Sequence, residues 1–487
     1  MPIPERALSP DQVLSHIKGL KSQDADWKAG RCFALVYSAG EAHEALLKDA
    51  HQAYFSENGL NPMAFKGLKR LEHEVVQMSA ALFHGPEGAV GTMTSGGTES
   101  LLLAVKTYRD RALRTRHFVG QPEMILPRTA HVALEKAAHL FGVVPRFAPV
   151  DETFQVDVKA VKKLINRHTV MIVGSAPQYP HGAIDPIEAL GALAQKHEIP
   201  LHVDACVGGF MLPFVERLGR KVPLWDFRVP GVTSISADLH KYGYAAKGAS
   251  VIVYKDLDHL RDQFFIATEW PGGIYASPSL PGTRPAGPIA AAWAALQGLG
   301  IEGYTRLTQD ALLARDRLIA GVKAVPGLVV FGDPPGTVFA FGSHDPALDT
   351  FALADRLQAN GWHFDRDQGP DGIHLTVMAG HLPVVDEFLA DLGRECEWVR
   401  AHPEAKREGS AATYGLMAKI PLRGVVKNAV LDVMLKMYGP SGEVPDLSQG
   451  NQGEGWVDKL TAKYGGDILN VLERAAALKA AFGKAKP

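Results

Sequence analysis

Lys241 stands next to a histidine in the run Ser236-Ala237-Asp238-Leu239-His240-Lys241-Tyr242-Gly243, between two short apolar or β-branched stretches at 232–235 and 250–254. That spacing predicts a loop joining two buried strands at one end of a sheet. Burial disfavours the charged form of a lysine, and a neutral amine can form a Schiff base with an aldehyde. His240 is placed to hold an anion beside it. A lone His-Lys pair in a loop is usually only a solvated surface, so the reading depends on what else the chain brings to the same edge.

Four upstream features carry chemistry. Ser95-Gly96-Gly97-Thr98-Glu99-Ser100 follows the apolar run 89–94 and opens the helical pattern 101–113, giving strand, glycine turn and helix. Glycines let backbone approach a ligand closely, and the free N–H groups at a helix start suit a phosphate. This turn is not a Gly-x-Gly-x-x-Gly, so dinucleotide binding there is unsupported. His131 opens the helical pattern 131–141 behind a strand at 124–126, Tyr179 follows a strand at 169–173, and Asp204 ends a strand at 200–204. Taken singly, each has an ordinary structural explanation as a cap, a packed ring or a turn former.

Strands and helices alternate over residues 82–254, which argues an α/β domain whose mostly parallel sheet is covered on both faces. Ligands of such sheets gather at the carboxyl ends of the strands, where all five features fall. Around this large domain, read as 68–305, the chain has an N-terminal arm (1–67) with helical patterns at 10–21 and 42–55. An apolar run in the arm's glycine-containing link ends in Tyr37. The segments 269–273 and 281–288 are turn-rich, and helical patterns follow at 289–299 and 307–325. A smaller α/β domain (306–438) has strands at 328–331, 337–341 and 373–377 and helices at 352–360 and 384–400. A Gly/Pro/Ser-rich linker at 439–455 and a helix at 468–482 make up the remainder, 439–487.

The 487 residues carry 51 basic and 53 acidic side chains, a net charge of -2, which offers no electrostatic footprint for nucleic acid. Three scattered cysteines suggest neither a disulfide framework nor a zinc centre, and a reducing cytoplasm is expected. No signal segment or apolar run of membrane-spanning length is present, so no transmembrane anchor is expected and no metal is called for. Small-molecule chemistry is the natural default.

A strand-end aspartate, a histidine, a helix-start phosphate cup and a Schiff-base lysine are the parts a pyridoxal phosphate enzyme needs. Residues 94–100, His202-Val203-Asp204-Ala205 and 236–243 resemble the group II pyridoxal-dependent decarboxylases and, within that group, the sphingosine-1-phosphate lyases. The finer likeness lies in a second lysine, Lys247, six residues after Lys241, in the run 201–210, in Val36-Tyr37, in 65–68 and in 412–417; the resemblance spans about 33–417.

The resemblance implies the aspartate-aminotransferase fold, fold type I of pyridoxal phosphate-dependent transferases, with a smaller C-terminal α/β domain, in a homodimer with shared sites. Carried over, Lys241 bears the cofactor, pyridoxal 5'-phosphate. Asp204 pairs with its ring nitrogen, His131 stacks on it, and Gly97, Thr98 and His240 hold its phosphate. Gly282 and Thr283 reach that phosphate from the neighbouring subunit. Tyr37, Tyr179, Lys247 and Tyr414 fall at substrate-side, catalytic positions. Asn61 replaces a histidine that the family associates with the substrate phosphate, which leaves the head group open. The implied reaction is retro-aldol cleavage of a phosphorylated sphingoid base, a lipid, to phosphoethanolamine and a long-chain aldehyde, with Lys241, Lys247 or a tyrosine as base. The alternatives are a glutamate or aromatic amino-acid decarboxylase on the same scaffold and a catalytically silent binding protein.

Overall fold

The computed structural model describes residues 3–22, 24–116, 118, 120–407, 411 and 423–440. Before the first sheet come α1 (Pro10–Lys21), α2 (Glu41–Ala53) and α3 (Lys66–Leu82). The sheet is then built by alternation: β1 (Val90–Thr94), α4 (Gly97–Thr115), β2 (Glu123–Pro127), α5 (Ala133–Phe141), β3 (Val144–Ala148), α6 (Val158–Leu164), β4 (Thr169–Ser175), α7 (Ile187–His197), β5 (Leu201–Asp204), α8 (Leu212–Arg217), β6 (Val232–Ala237) and β7 (Ser250–Tyr254). Every residue of β4, β6 and β7 is buried, as strands covered on both faces require; β4 and β7 are near-continuous apolar runs, whereas β6 carries Thr233, Ser234 and Ser236 inside.

The strand order is β1-β7-β6-β5-β4-β2-β3. Neighbours from β6 to β3 pair in parallel, whereas β7 is antiparallel to both β6 and β1. The connection from β6 to β7 contains no crossover helix, so β7 has to return in the opposite direction. The five strands β1, β2, β4, β5 and β6 therefore end at one edge, and all five chemistry-bearing segments come there together. One face of the sheet packs on α4 and α5 and the other on α3, α7, α8 and α10 (Gly287–Ala324).

A short helix, α9 (Leu257–Leu260), and the hairpin of β8 (Phe265–Ala267) and β9 (Tyr275–Ser277) precede α10. Within α10, Gly300 has φ 55 and ψ -178, so two helical segments meet at a break there, as the separate patterns at 289–299 and 307–325 suggest. The antiparallel sheet β10 (Leu328–Val330), β11 (Val338–Ser343), β13 (Gly372–Thr376), β12 (Asp365–Asp367) follows, packed with α11 (Thr350–Ala359) and α12 (Val385–Ala401) around Phe339, Phe341, Phe351 and Phe388. Helix α13 (Arg423–Met437) comes last.

The N-terminal arm enters this second core. Phe33 is fully buried, stacks on His381 at 4.2 Å and meets Phe388 edge-on at 5.2 Å, and its N–H donates to the His363 carbonyl. This anchor fixes the path of the chain into Tyr37. Four strands go beyond the sequence expectation. β3 contains Pro145 and lies at the sheet edge, where a missing N–H is tolerated. The strands β8, β9 and β12 are three residues each, too short for periodicity to register. The linker from 441 onward and the helix at 468–482 lie outside the described residues. Among the described residues, no helix is long and apolar enough to cross a membrane.

Candidate active site

Lys241 sits in the turn after β6, its Nζ 3.1 Å from Asp238 Oδ2. Asp238 is 2% exposed, and its Oδ1 is buried without a hydrogen-bond partner. This arrangement reverses the expectation of a neutral lysine. Burial does favour the neutral amine, but the Asp238 charge outweighs it and the Lys241 pKa lies above the ordinary lysine value. Asp238 in turn is held below the usual carboxylate range: burial opposes its ionisation, and Lys241 and His240 overcome that.

His240 Nε2 lies 3.6 Å from Asp238 Oδ2, and its Nδ1 accepts from the Ala249 N–H at 3.2 Å. Burial lowers its pKa, despite Asp238. His240 is therefore a neutral N–H donor at this edge rather than a fixed cation.

The glycine turn fits against this cluster. Helix α4 has no side-chain cap at Gly96, so the N–H groups of its first turn, including those of Gly97 and Thr98, keep no acceptor within the helix. A Cβ on Gly97 would lie 2.7–2.8 Å from the two Asp238 carboxylate oxygens and the Cys206 Sγ. Only glycine lets the helix start sit so close to the lysine turn. Thr98 is exposed at the same helix start. Glu99, missed in the sequence, locks this turn: Oε2 accepts from Ser95 N and Oγ at 2.7 Å each, and Oε1 accepts from Leu280 N. Nothing in the sequence marked it beyond its place after the glycines.

Asp204 ends β5 and is 7% exposed. Its Oδ1 accepts from Cys206 N at 3.1 Å and faces Ser236 Oγ at 3.5 Å. Cys206 lies between Asp204, Asp238 and Lys241; burial first, then the two carboxylates, push its thiol well above the ordinary value, so it stays protonated and unreactive. His131 immediately precedes α5, where its Nδ1 accepts from Ala133 N, and it meets the Tyr179 ring edge-on with centroids 6.4 Å apart.

Tyr179 stacks on His374 at 4.2 Å, and its hydroxyl donates to Asp365. Burial and then Asp365 raise its pKa. Tyr37 packs edge-on against Tyr242 at 5.1 Å; burial pushes its pKa up to about 12 despite the Lys241 charge. Lys247 Nζ lies 5.2 Å from the Tyr37 ring centroid and donates to the carbonyls of Leu35 (2.7 Å) and His240 (3.2 Å). Its pKa is lowered, by burial first and then by the Lys241 charge. Leu35 adopts φ 66, a strained conformation for a non-glycine residue next to a functional contact.

A second group forms around Arg284. Arg284 is buried, with Nη1 2.7 Å from Glu72 Oε1 and Nη2 donating to the Gly59 carbonyl at 2.9 Å. Thr283 Oγ1 accepts from Asn58 Nδ2, and Gly59 N donates to Arg284 O, so the 58–61 turn and the Gly282–Thr283 turn form one unit. Asn61 is exposed, and its side-chain oxygen accepts from Met63 N and Ala64 N. The structure therefore assembles Gly97, Thr98, Asp204, His240, Lys241, Lys247, Tyr37, His131 and Tyr179 along one edge, while Asn61, Gly282 and Thr283 sit in this other unit. Tyr414 lies outside the described residues.

The residues fit pyridoxal phosphate. A buried lysine, a carboxylate one strand away with an acceptor oxygen free of protein donors, and the free N–H groups of an uncapped helix start are what an aldehyde, a protonated ring nitrogen and a phosphate respectively require.

Known proteins bear this out. Residues 2–326 match the pyridoxal-dependent decarboxylase conserved domain. The chain is 44% identical to sphingosine-1-phosphate lyase of Oryza sativa subsp. japonica, over 87% of this chain and 79% of that protein. The structure of sphingosine-1-phosphate lyase from Burkholderia pseudomallei superimposes with a TM-score of 0.79 at 40% identity, covering 83% of this chain and 94% of that one. Glutamate decarboxylase of Lactobacillus brevis shares the fold, with a TM-score of 0.71 at 22% identity, covering 82% of this chain and 95% of that one. With its buried lysine turn, glycine-started helix and strand-end aspartate all on one sheet edge, the chain belongs to the pyridoxal-dependent decarboxylase family and groups with its sphingosine-1-phosphate lyases.

Proposed function

We propose that this protein cleaves a phosphorylated sphingoid base by a retro-aldol reaction, giving phosphoethanolamine and a long-chain aldehyde. The observation that carries this is Lys247, whose ammonium lies beside Lys241 and over Tyr37 with its proton affinity lowered. Pyridoxal phosphate, when bound, supplies an aldehyde for the substrate amine and a ring that takes up the electron pair of the breaking carbon–carbon bond. The protein's own groups do the remainder.

Asp238 holds a proton on Lys241 Nζ until the aldehyde arrives, Asp204 presents a carboxylate oxygen to the ring nitrogen, and His131 covers the ring. Gly97, Thr98 and His240 offer N–H groups to its phosphate. Tyr37 and Tyr179 keep their hydroxyl protons and so act as donors. Lys247, its proton affinity lowered, is the group suited to take the proton of the substrate's C3 hydroxyl. Its positive form also suits the substrate phosphate.

The protein works as a homodimer in this reading. In the unit of Asn61, Gly282 and Thr283, Asn61 and Thr283 are exposed and Gly282 is half-buried, and the apolar residues of α1 (Val13, Leu14, Ile17, Leu20) and of the β8–β9 hairpin (Phe265, Ile266) and its tip (Trp270, Ile274) are unusual for a monomer surface. That unit would bring Gly282 and Thr283 to the neighbouring subunit's cofactor. Three free cysteines, all buried, suit a reducing cytoplasm.

The holoenzyme incubated with a phosphorylated sphingoid base is expected to release long-chain aldehyde and phosphoethanolamine, and Lys241→Ala to abolish both release and the cofactor chromophore. Carbon dioxide release from amino acids without aldehyde release from the lipid would overturn the reading. Asn61→His is expected to change the affinity for phosphorylated bases and leave the cofactor spectrum unchanged.

A further inference from the structure

A file of polar side chains crosses an otherwise apolar layer between α4 and the sheet. On β5, His202 and Asp204 alternate and so share a face; on β6, Ser234 and Ser236 do the same. The register pairs His202 with Ser234 and Asp204 with Ser236. Tyr108 Oη donates to Ser234 Oγ at 2.7 Å, Ser234 Oγ lies 2.8 Å from His202 Nδ1, and His202 Nε2 lies 3.2 Å from Ser236 Oγ. Ser236 Oγ faces Asp204 Oδ1 at 3.5 Å. Tyr108, His202, Ser234 and Ser236 are all fully buried, and Ser236 Oγ also accepts from Cys206 Sγ at 3.3 Å.

Two observations argue that the file serves the site as well as the fold. Burial lowers the His202 pKa to about 4, so the ring is neutral and carries one N–H. With that proton on Nε2, every member donates toward the carboxylate: Tyr108 to Ser234, Ser234 to Nδ1, Nε2 to Ser236, and Ser236 to Asp204. With it on Nδ1, the direction at His202 reverses and Ser236 gives its proton to the imidazole, leaving Asp204 with the Cys206 N–H alone. The negative charge at Asp204 favours the first arrangement. Other buried hydroxyl groups line the same layer, such as Thr107–Tyr254 and Thr94–Ser100–Ser250, the latter running to the Ala237 carbonyl and to Asp238, but none of these leads to Asp204.

We propose that His202 is a positioning residue that, through Ser236, orients the Asp204 carboxylate with Oδ1 occupied and the other oxygen free for the cofactor ring nitrogen. A buried carboxylate deprived of donors tends toward its neutral form, and a neutral acid would leave the ring nitrogen unprotonated and the ring a poorer electron sink. The inference rests on the assignment of Asp204 to the ring nitrogen.

Its test is spectroscopic. Holoenzyme reconstituted with pyridoxal phosphate carrying nitrogen-15 in the ring reports ring protonation directly in its nitrogen chemical shift. His202→Leu and Ser236→Ala are expected to change the partition of the proton between ring and carboxylate by roughly tenfold or more, moving the shift toward the unprotonated value. Ser236→Ala removes a single oxygen and guards against a folding defect in the larger change, and His202→Gln, which keeps an amide donor, should restore most of the native shift. Asp204→Asn is the control and should give the unprotonated value. If Asp204→Asn does so while His202→Leu and Ser236→Ala both keep the native shift, the relay is wrong; if Asp204→Asn itself keeps the native shift, the assignment of Asp204 is wrong and the relay falls with it.

Discussion

Asp238→Asn isolates the electrostatics of the lysine turn. In the native protein Lys241 Nζ lies 3.1 Å from a carboxylate that is itself almost completely buried. Two unit charges at that separation attract by roughly 5 kcal/mol at an effective dielectric of about 20. Even if solvent screening left a third of that, proton affinity would change by roughly tenfold. The amide removes the attraction and leaves burial as the main influence, which favours the neutral amine. The sign is therefore definite: the pH at which Lys241 becomes nucleophilic falls in the variant. The assay is the rate at which a small aldehyde with borohydride modifies Lys241 in cofactor-free protein, followed by peptide mass spectrometry across pH. The expected result is a profile displaced to lower pH by at least about one unit, with more reaction at neutral pH than in the native protein. An unchanged profile, or one displaced upward, would refute the view that Asp238 governs this lysine.

Gly97→Ala places a methyl group within 2.8 Å of the Asp238 oxygens and the Cys206 sulfur, and such overpacking costs about 1–3 kcal/mol. It is expected to weaken pyridoxal phosphate binding at least about tenfold, measured by equilibrium dialysis, while helical circular dichroism is retained. Arg284→Met leaves Glu72 buried with Lys69, at 3.2 Å, as its charged partner and the Met93 N–H as a further donor, and breaking a buried pair in this way costs about 3–5 kcal/mol. A lower melting temperature is expected, and Arg284→Lys should not restore it, because the forked contact to both Glu72 and Gly59 needs a guanidinium.

The mostly parallel sheet and the gathering of the chemistry-bearing segments at its strand ends were legible in the chain, because each depends on local pattern. Fully apolar runs specify covered strands, a glycine pair before a helical period specifies a close-approach turn, and an Asp or Lys at a strand's end falls at the ligand edge whatever the neighbours. What the sequence could not contain were the quantities set by partners distant along the chain. Asp238 looked like one more loop residue, yet its burial beside Lys241 inverts the lysine's expected titration. Glu99 and Asp365 matter because Leu280 and Tyr179, 181 and 186 positions away from them respectively, fold against them. Tyr37 and Tyr179 read alike as aromatic hydroxyls, and only packing shows that both keep their protons while Lys247 is the one whose proton is loosened. His202 was simply part of a motif until the β5–β6 register set it between two serines. Type and spacing thus determined which groups reach the edge; tertiary structure decided their charge, because a pKa is fixed by desolvation and by the nearest opposite charge, neither of which is a property of local sequence.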